Sequence, residues 1–293
     1  MRKISLPTND PIQVYETCVL SVKDPSLRKN YSDNQVHIVA AVTAFAAATA
    51  TASWATLPRI PNGNPGLIVT GTLSKKNLME LYSSYMVDCK GPSRDIYDDI
   101  LVGSGGKCPF CGGIGQVQTL DHYLPKANFP LYSILPSNLI PCCRDCNTGK
   151  SNSFGALIQQ QTLHPYLDDD KFYNQRWVTA RVRRSNPITI EYVCAPPDHW
   201  TDIEKLRVHR HFEDYNLSYR WSVQAAAELA RIIDSRVGAL NILQPNLFRL
   251  HLLDSANSSG YDLNGWNRTM YAGLASTTWF CEVDFTSQDW HLE

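Results

Sequence analysis

The chain has 293 residues, 27 Lys and Arg against 28 Asp and Glu, a formal net charge of −1, and 43% hydrophobic with 10% aromatic side chains. That length and apolar content exclude an intrinsically disordered chain and supply one or two packed domains. The near-zero charge excludes a polycation that holds nucleic acid through its global field, so any such binding must come from a local patch.

In chain order, Met1-Arg2-Lys3 leads into polar, proline-containing sequence with no apolar run, so no secretory signal is read and a cytoplasmic setting is expected. Residues 1–102 are expected to be mainly helical. Val36 to Leu57 carries no Asp, Glu, Lys or Arg. It is long enough for a bilayer at ~20 residues, but its alanines, Thr43, Thr49, Thr51, Thr56 and Ser53 give little insertion energy. It reads as an Ala-rich packing helix ending at Leu57-Pro58, and no membrane association is expected. Pro61-Asn62-Gly63-Asn64-Pro65-Gly66 signals a turn. Ser74 is the expected N-cap of a helix running through Leu78, Leu81, Tyr82 and Tyr85.

Gly103-Ser104-Gly105-Gly106 reads as a joint into a cysteine-rich segment, residues 103–168. In residues 169–197, Val178, Ala180 and Val182 alternate with Thr179, Arg181 and Arg183. After a turn at Ser185-Asn186-Pro187, Ile188, Ile190 and Tyr192 alternate with Thr189 and Glu191. A period of two predicts a β-hairpin with one buried face. Helices return over 198–293, where Val223, Ala226, Ala230, Ile233, Val237 and Leu240 recur at steps of three and four, the spacing of an amphipathic helix packed on its own domain. The fold class expected is α+β.

Five of the nine cysteines fall between positions 108 and 146. An odd number in a long chain without a secretory signal points to metal rather than disulfides. Cys108-Pro109-Phe110-Cys111 and Cys143-Arg144-Asp145-Cys146 are two C-x-x-C knuckles, with 32 positions from Cys111 to Cys143. Four thiolates are the set that Zn²⁺ takes in a closed tetrahedral site. Cys142 has the wrong spacing to join them and reads as a buried small apolar residue.

Between the knuckles lie Asp121-His122 and Asn138, and the second knuckle runs into Asn147-Thr148-Gly149-Lys150. Taken singly these are ordinary: an Asp-His pair on a surface, a turn asparagine, helix-surface residues. In this order the segment resembles the HNH endonuclease family, in its HNN variant with a supporting zinc. The resemblance implies a central ββα-metal module with a four-cysteine zinc site and hydrolysis of DNA phosphodiesters. It assigns His122 as general base and Asn138 as the residue fixing the loop that orients it. Asp121 and Asn147 would hold one Mg²⁺ or Mn²⁺. Some members carry His where Asn147 stands, which exchanges a nitrogen ligand for an amide oxygen.

The chemistry of these residue types agrees with that assignment. Asp and Asn oxygens suit a hard cation, thiolates a softer one, and a neutral imidazole suits proton abstraction near neutral pH. Over residues 101–152, Lys107, Lys126, Arg144 and Lys150 stand against Asp121 and Asp145, a local net of +2. Lys126, Arg144 and Lys150 are the expected phosphate contacts, with Arg176, Arg181, Arg183 and Arg184 just beyond. Phe129-Pro130, Pro136, Thr162 to Tyr166 and Trp279-Phe280-Cys281 also look like features of bacterial HNH proteins. Some of these, such as the Septu type, serve anti-phage defence beside a separate ATPase. This chain has no P-loop, so an ATPase partner or a second copy is the partner expected besides DNA. The alternative is a non-catalytic zinc-stabilised module that binds DNA or protein.

Overall fold

The computed structural model describes residues 1–150, apart from the Lys150 side chain, and 154–287. It divides into two compact units, one comprising Lys3–Phe110 and Gly115–Asp168, the other Met1–Arg2, Cys111–Ile114 and Asp169–Glu293. Helices and two-stranded antiparallel sheets make up both, an α+β composition.

The larger unit begins with α1 (Pro11–Leu20) and α2 (Pro25–Asp33). Each starts with proline behind an aspartate cap. Asp10 accepts from the N–H groups of Ile12 and Gln13, and Asp24 from those of Ser26 and Leu27. The caps satisfy backbone donors that the first turn leaves unpaired, and proline lacks one there at no cost. The Ala-rich helix, α3 (Gln35–Thr49), ends at Thr49 rather than Leu57. Ser53 N–H returns to the Ala48 carbonyl at 2.8 Å, and Ala52 takes a φ of 49°. The cause is Trp54, which is fully buried against Tyr123 and His164 with ring centroids 5.4 and 5.0 Å away. An indole buries far more apolar area than the alanines around it, so the chain leaves the helix to seat it.

A short hairpin, β1 (Ile68–Thr70) with β2 (Leu73–Ser74), leads into α4 (Lys75–Tyr82). Ser74 caps α4 as expected, in a capping box with Asn77. A π-helical turn follows over Ser83–Val87, then α5 (Pro92–Val102). The hairpin that matters most pairs β3 (Thr119–His122) with β4 (Leu139–Cys142), and α6 (Arg144–Lys150) follows at once. Its register sets Leu120 opposite Pro141, Asp121 opposite Ile140 and His122 opposite Leu139. Leu120, Ile134 and Leu139 share one core with Val14, Tyr15 and Cys18 of α1, Leu78 and Leu81 of α4, and Tyr97 and Ile100 of α5. Each large apolar side chain buried there contributes about 1.5–3 kcal/mol.

The smaller unit carries α7 (Lys171–Asn174) and the expected hairpin, β5 (Val178–Arg183) with β6 (Thr189–Cys194). Thr179, Arg181 and Arg183 of β5 face outward. Helices α8 (Asp202–Asp214), α9 (Leu217–Val237), α10 (Pro245–Asn257), α11 (Trp266–Ser276) and α12 (Thr278–Glu282) complete it. Gly273 of α11 has to be glycine, because a Cβ there would sit 2.8 Å from the Ala180 methyl on β5.

The buried face of α9 differs from the one its spacing suggested. Leu217, Trp221, Ala225, Leu229 and Ile232 face the core, whereas Val223, Ala226, Ala230 and Val237 are exposed. Trp221 sets this rotation, standing edge-on to Tyr192 and Phe212 at 5.4 and 6.0 Å between centroids. Among the described residues no helix is long and apolar enough to cross a membrane.

Candidate functional site

The two knuckles come together. Cys108, Cys111, Cys143 and Cys146 are all buried, and their sulfur atoms lie within 4.8 Å of one another. Zn–S bonds of about 2.3 Å in a tetrahedron place sulfurs ~3.8 Å apart, so this donor set fits a metal ion such as zinc. Local backbone shapes it. Gly112 holds a φ of +65°, and a Cβ there would lie 3.0 Å from the Met1 nitrogen and 3.3 Å from the Trp221 ring. Only glycine therefore turns the chain after Cys111, whose carbonyl accepts from the Trp221 indole at 3.0 Å. Cys143 closes the first turn of α6, its carbonyl accepting from the Asn147 N–H at 3.0 Å. Cys142 stands outside the set. It is buried on β4, and its thiol donates to the Cys143 carbonyl at 3.3 Å. Its thiol also contacts those of Cys108 and Cys146; the contact with Cys108, against an opposing one from Cys146, and burial push its pKa up.

In the larger unit, Asp121, His122, Lys126 and Asn147 line one cavity of about 400 Å³, with Tyr82 in its wall. The end of β3 places Asp121 and His122, and both are largely buried. Two tyrosines hold the peptide just before them. The Tyr82 hydroxyl donates to the Leu120 carbonyl at 3.0 Å, and the Leu120 N–H donates to the Tyr97 hydroxyl at 3.3 Å. Burial, then the neighbours Tyr97 and Asp121, raise the Tyr82 pKa, so its hydroxyl stays a neutral donor.

His122 has a fixed ring. Its Nε2 lies 2.8 Å from the Ser133 carbonyl. A carbonyl can only accept, so Nε2 carries the proton and Nδ1 is the basic atom of the neutral ring. Ser133 is anchored in turn, its hydroxyl donating to the Leu78 carbonyl of α4 at 2.5 Å.

Asn138 does not line the cavity. It is fully buried at the far end of the connection between β3 and β4 and ties that connection together. Its amide oxygen accepts from the Leu124 N–H at 2.7 Å, and its amide nitrogen donates to the carbonyls of Leu124 and Tyr132 at 3.1 and 3.0 Å. Its own carbonyl accepts from the Tyr123 N–H at 2.9 Å. The chain on either side of His122 and Ser133 is thereby held.

The cations divide. Lys126 is half-buried with its Nζ 4.6 Å from the Tyr82 ring centroid, and burial lowers its pKa from the ordinary lysine value. Arg144 is exposed on α6 and is not among the cavity-lining residues. The Lys150 side chain lies outside the described residues. Of Arg176, Arg181, Arg183 and Arg184, Arg183 pairs with Glu191 and Arg184 lies over the Trp279 ring at 5.2 Å.

Sequence reasoning did not single out Tyr82 as a lining residue of this cavity; it placed that position only on the helix that follows Ser74. Nothing local distinguishes it. Only the packing of α4 against β3 brings the ring to His122.

No family model and no solved structure matches the chain. Protein ea31 of Escherichia phage lambda is 30% identical over 289 residues, which cover 94% of this chain and 98% of that protein. With that identity spread over nearly the whole of both chains, this protein belongs to the family of phage lambda Protein ea31.

Proposed function

We propose that the chain is a metal-dependent endonuclease of the HNH type that hydrolyses DNA. The observation that carries this reading is the convergence of Asp121, His122 and Asn147 on one cavity, with His122 Nε2 bound to the Ser133 carbonyl. The order of hairpin and helix, β3, β4, α6, supports a ββα-metal module, and the four cysteines at its edges support a zinc-stabilised one.

A phosphodiester resists attack because it is anionic and its leaving alkoxide is poor. The carboxylate of Asp121 and the amide oxygen of Asn147 are hard donors that suit Mg²⁺ or Mn²⁺. Such an ion, when bound, supplies neutralisation of the charge that grows on the phosphate. His122 Nδ1 takes a proton from the attacking water as its oxygen bonds to phosphorus. The bond from phosphorus to the 3′ oxygen breaks, and that oxygen leaves as a 3′-hydroxyl after protonation, with the 5′-phosphate on the other end. Asn138 contributes by fixing the connection that carries Ser133, the partner of His122. The anti-phage setting and the ATPase partner rest on the family resemblance alone.

The test is incubation of the full-length chain with supercoiled plasmid over Mg²⁺, Mn²⁺, Ca²⁺ and chelator, followed by ligation of the products. Metal-dependent nicking to ligatable ends is the expected result. No cleavage with any metal leaves the non-catalytic zinc-stabilised module in its place.

A further inference from the structure

We propose that Tyr82 is a positioning residue of this site and that Lys126 is the cation that meets the DNA phosphate there. The proposal rests on the cleavage reading above. One ring serves two cavity residues. The His122 ring stands edge-on to Tyr82 with centroids 4.3 Å apart and planes at 72°. The Lys126 ammonium lies over the same ring, 4.6 Å from its centroid. The Tyr82 hydroxyl adds a third contact through the Leu120 carbonyl, one residue before Asp121. Tyr82 itself is held in the core by α4 and stands 6.3 Å from Tyr97 between centroids.

Each contact has a separate physical consequence. The Tyr82 ring packed against the imidazole limits its rotation, and Nε2 already donates to the Ser133 carbonyl. The ring face holds a long, rotamer-rich lysine in place before substrate arrives, so less side-chain entropy is lost on binding. Lys126 is also partly stripped of water, as the lowering of its pKa by burial reflects. A cation in that state attracts a phosphate oxygen more strongly than a solvated surface lysine does. Among the described residues, Lys126 is the only Lys or Arg lining the cavity. Its role is electrostatic, and no proton transfer is assigned to it.

The experiment uses the full-length chain as Tyr82→Leu, Tyr82→Phe, Lys126→Gln and the double variant Tyr82→Leu/Lys126→Gln. Cleavage of a short DNA duplex with Mn²⁺ gives kcat and KM, and binding of the same duplex in chelator is measured over a range of salt. Lys126→Gln is expected to weaken binding and to reduce the slope of log affinity against log salt by about one. Tyr82→Leu is expected to lower kcat at least about tenfold, with Tyr82→Phe restoring at least about threefold of that loss because the ring returns. In the Tyr82→Leu background, Lys126→Gln is expected to weaken binding by a smaller factor than it does in the wild-type chain, because without the ring the cation is no longer held in place. Equal rates for the Leu and Phe variants, or binding losses that multiply in the double variant, overturn the proposal. An unchanged salt slope in Lys126→Gln overturns it whatever the cleavage result, and needs no folded Tyr82 variant. Failure of the cleavage reading shows differently, as equal rates for wild type and His122→Ala.

Discussion

Cys142 and Cys143 are adjacent in the chain and opposite in role, which makes them a test at the scale of single residues. Cys143 belongs to the set of four sulfurs, whereas Cys142, on β4, donates its thiol to the Cys143 carbonyl. Cys143→Ser should lose most of the bound metal and destabilise the chain by more than about 3 kcal/mol. Cys142→Ser should keep the metal, measured by elemental analysis of the purified variants. Asn138→Ala makes a second test. It leaves the Leu124 N–H and two carbonyls without their side-chain partner inside the core. Each unsatisfied buried group costs about 1–3 kcal/mol, so urea unfolding should show a loss of about 3 kcal/mol or more. The cysteine set was legible in the sequence because ligand spacing is a local property that survives without knowledge of packing. Asn138 was legible only through the order of motifs around it. Tyr82 was not legible, because its distance of forty positions from His122 is closed only by tertiary structure.

Elements follow the same division. The start of α4 was readable from Ser74, because a cap is a contact between residues three apart. Ser74→Ala should cost about 1 kcal/mol, read as a lower thermal midpoint. The β5–β6 hairpin was readable from strict alternation. The end of α3 and the buried face of α9 were not, and one cause accounts for both. Trp54 and Trp221 are fully buried, and each redirects the element around it. Counting apolar positions weights an alanine and a tryptophan alike, whereas burial energy follows area. Trp54→Ala should therefore destabilise the chain by about 3–5 kcal/mol. Ala46→Ser, on the exposed side of α3, should change stability by less than about 1 kcal/mol.

For the molecule as a whole, the proposed site is supported by segments far from it in sequence. Leu120, Ile134 and Leu139 pack in the same core as α1, α4 and α5, and Ser133 is anchored on Leu78. A fragment spanning residues 103–197 keeps the cysteines, Asp121, His122 and Asn147, but it loses Tyr82, Tyr97 and that core. It should lack a cooperative thermal transition. The measurement that bears most directly on the central claim is the rate of Mg²⁺- or Mn²⁺-dependent plasmid cleavage by full-length His122→Ala, beside wild type, at saturating enzyme. The His122 ring is held with Nδ1 as its basic atom, and a general base contributes about 10²–10⁴-fold. On the proposed reading the variant should hold as much metal at the four cysteines and bind DNA as well as wild type does, and lose at least about a hundredfold in rate. Cleavage at the wild-type rate by His122→Ala would contradict the account.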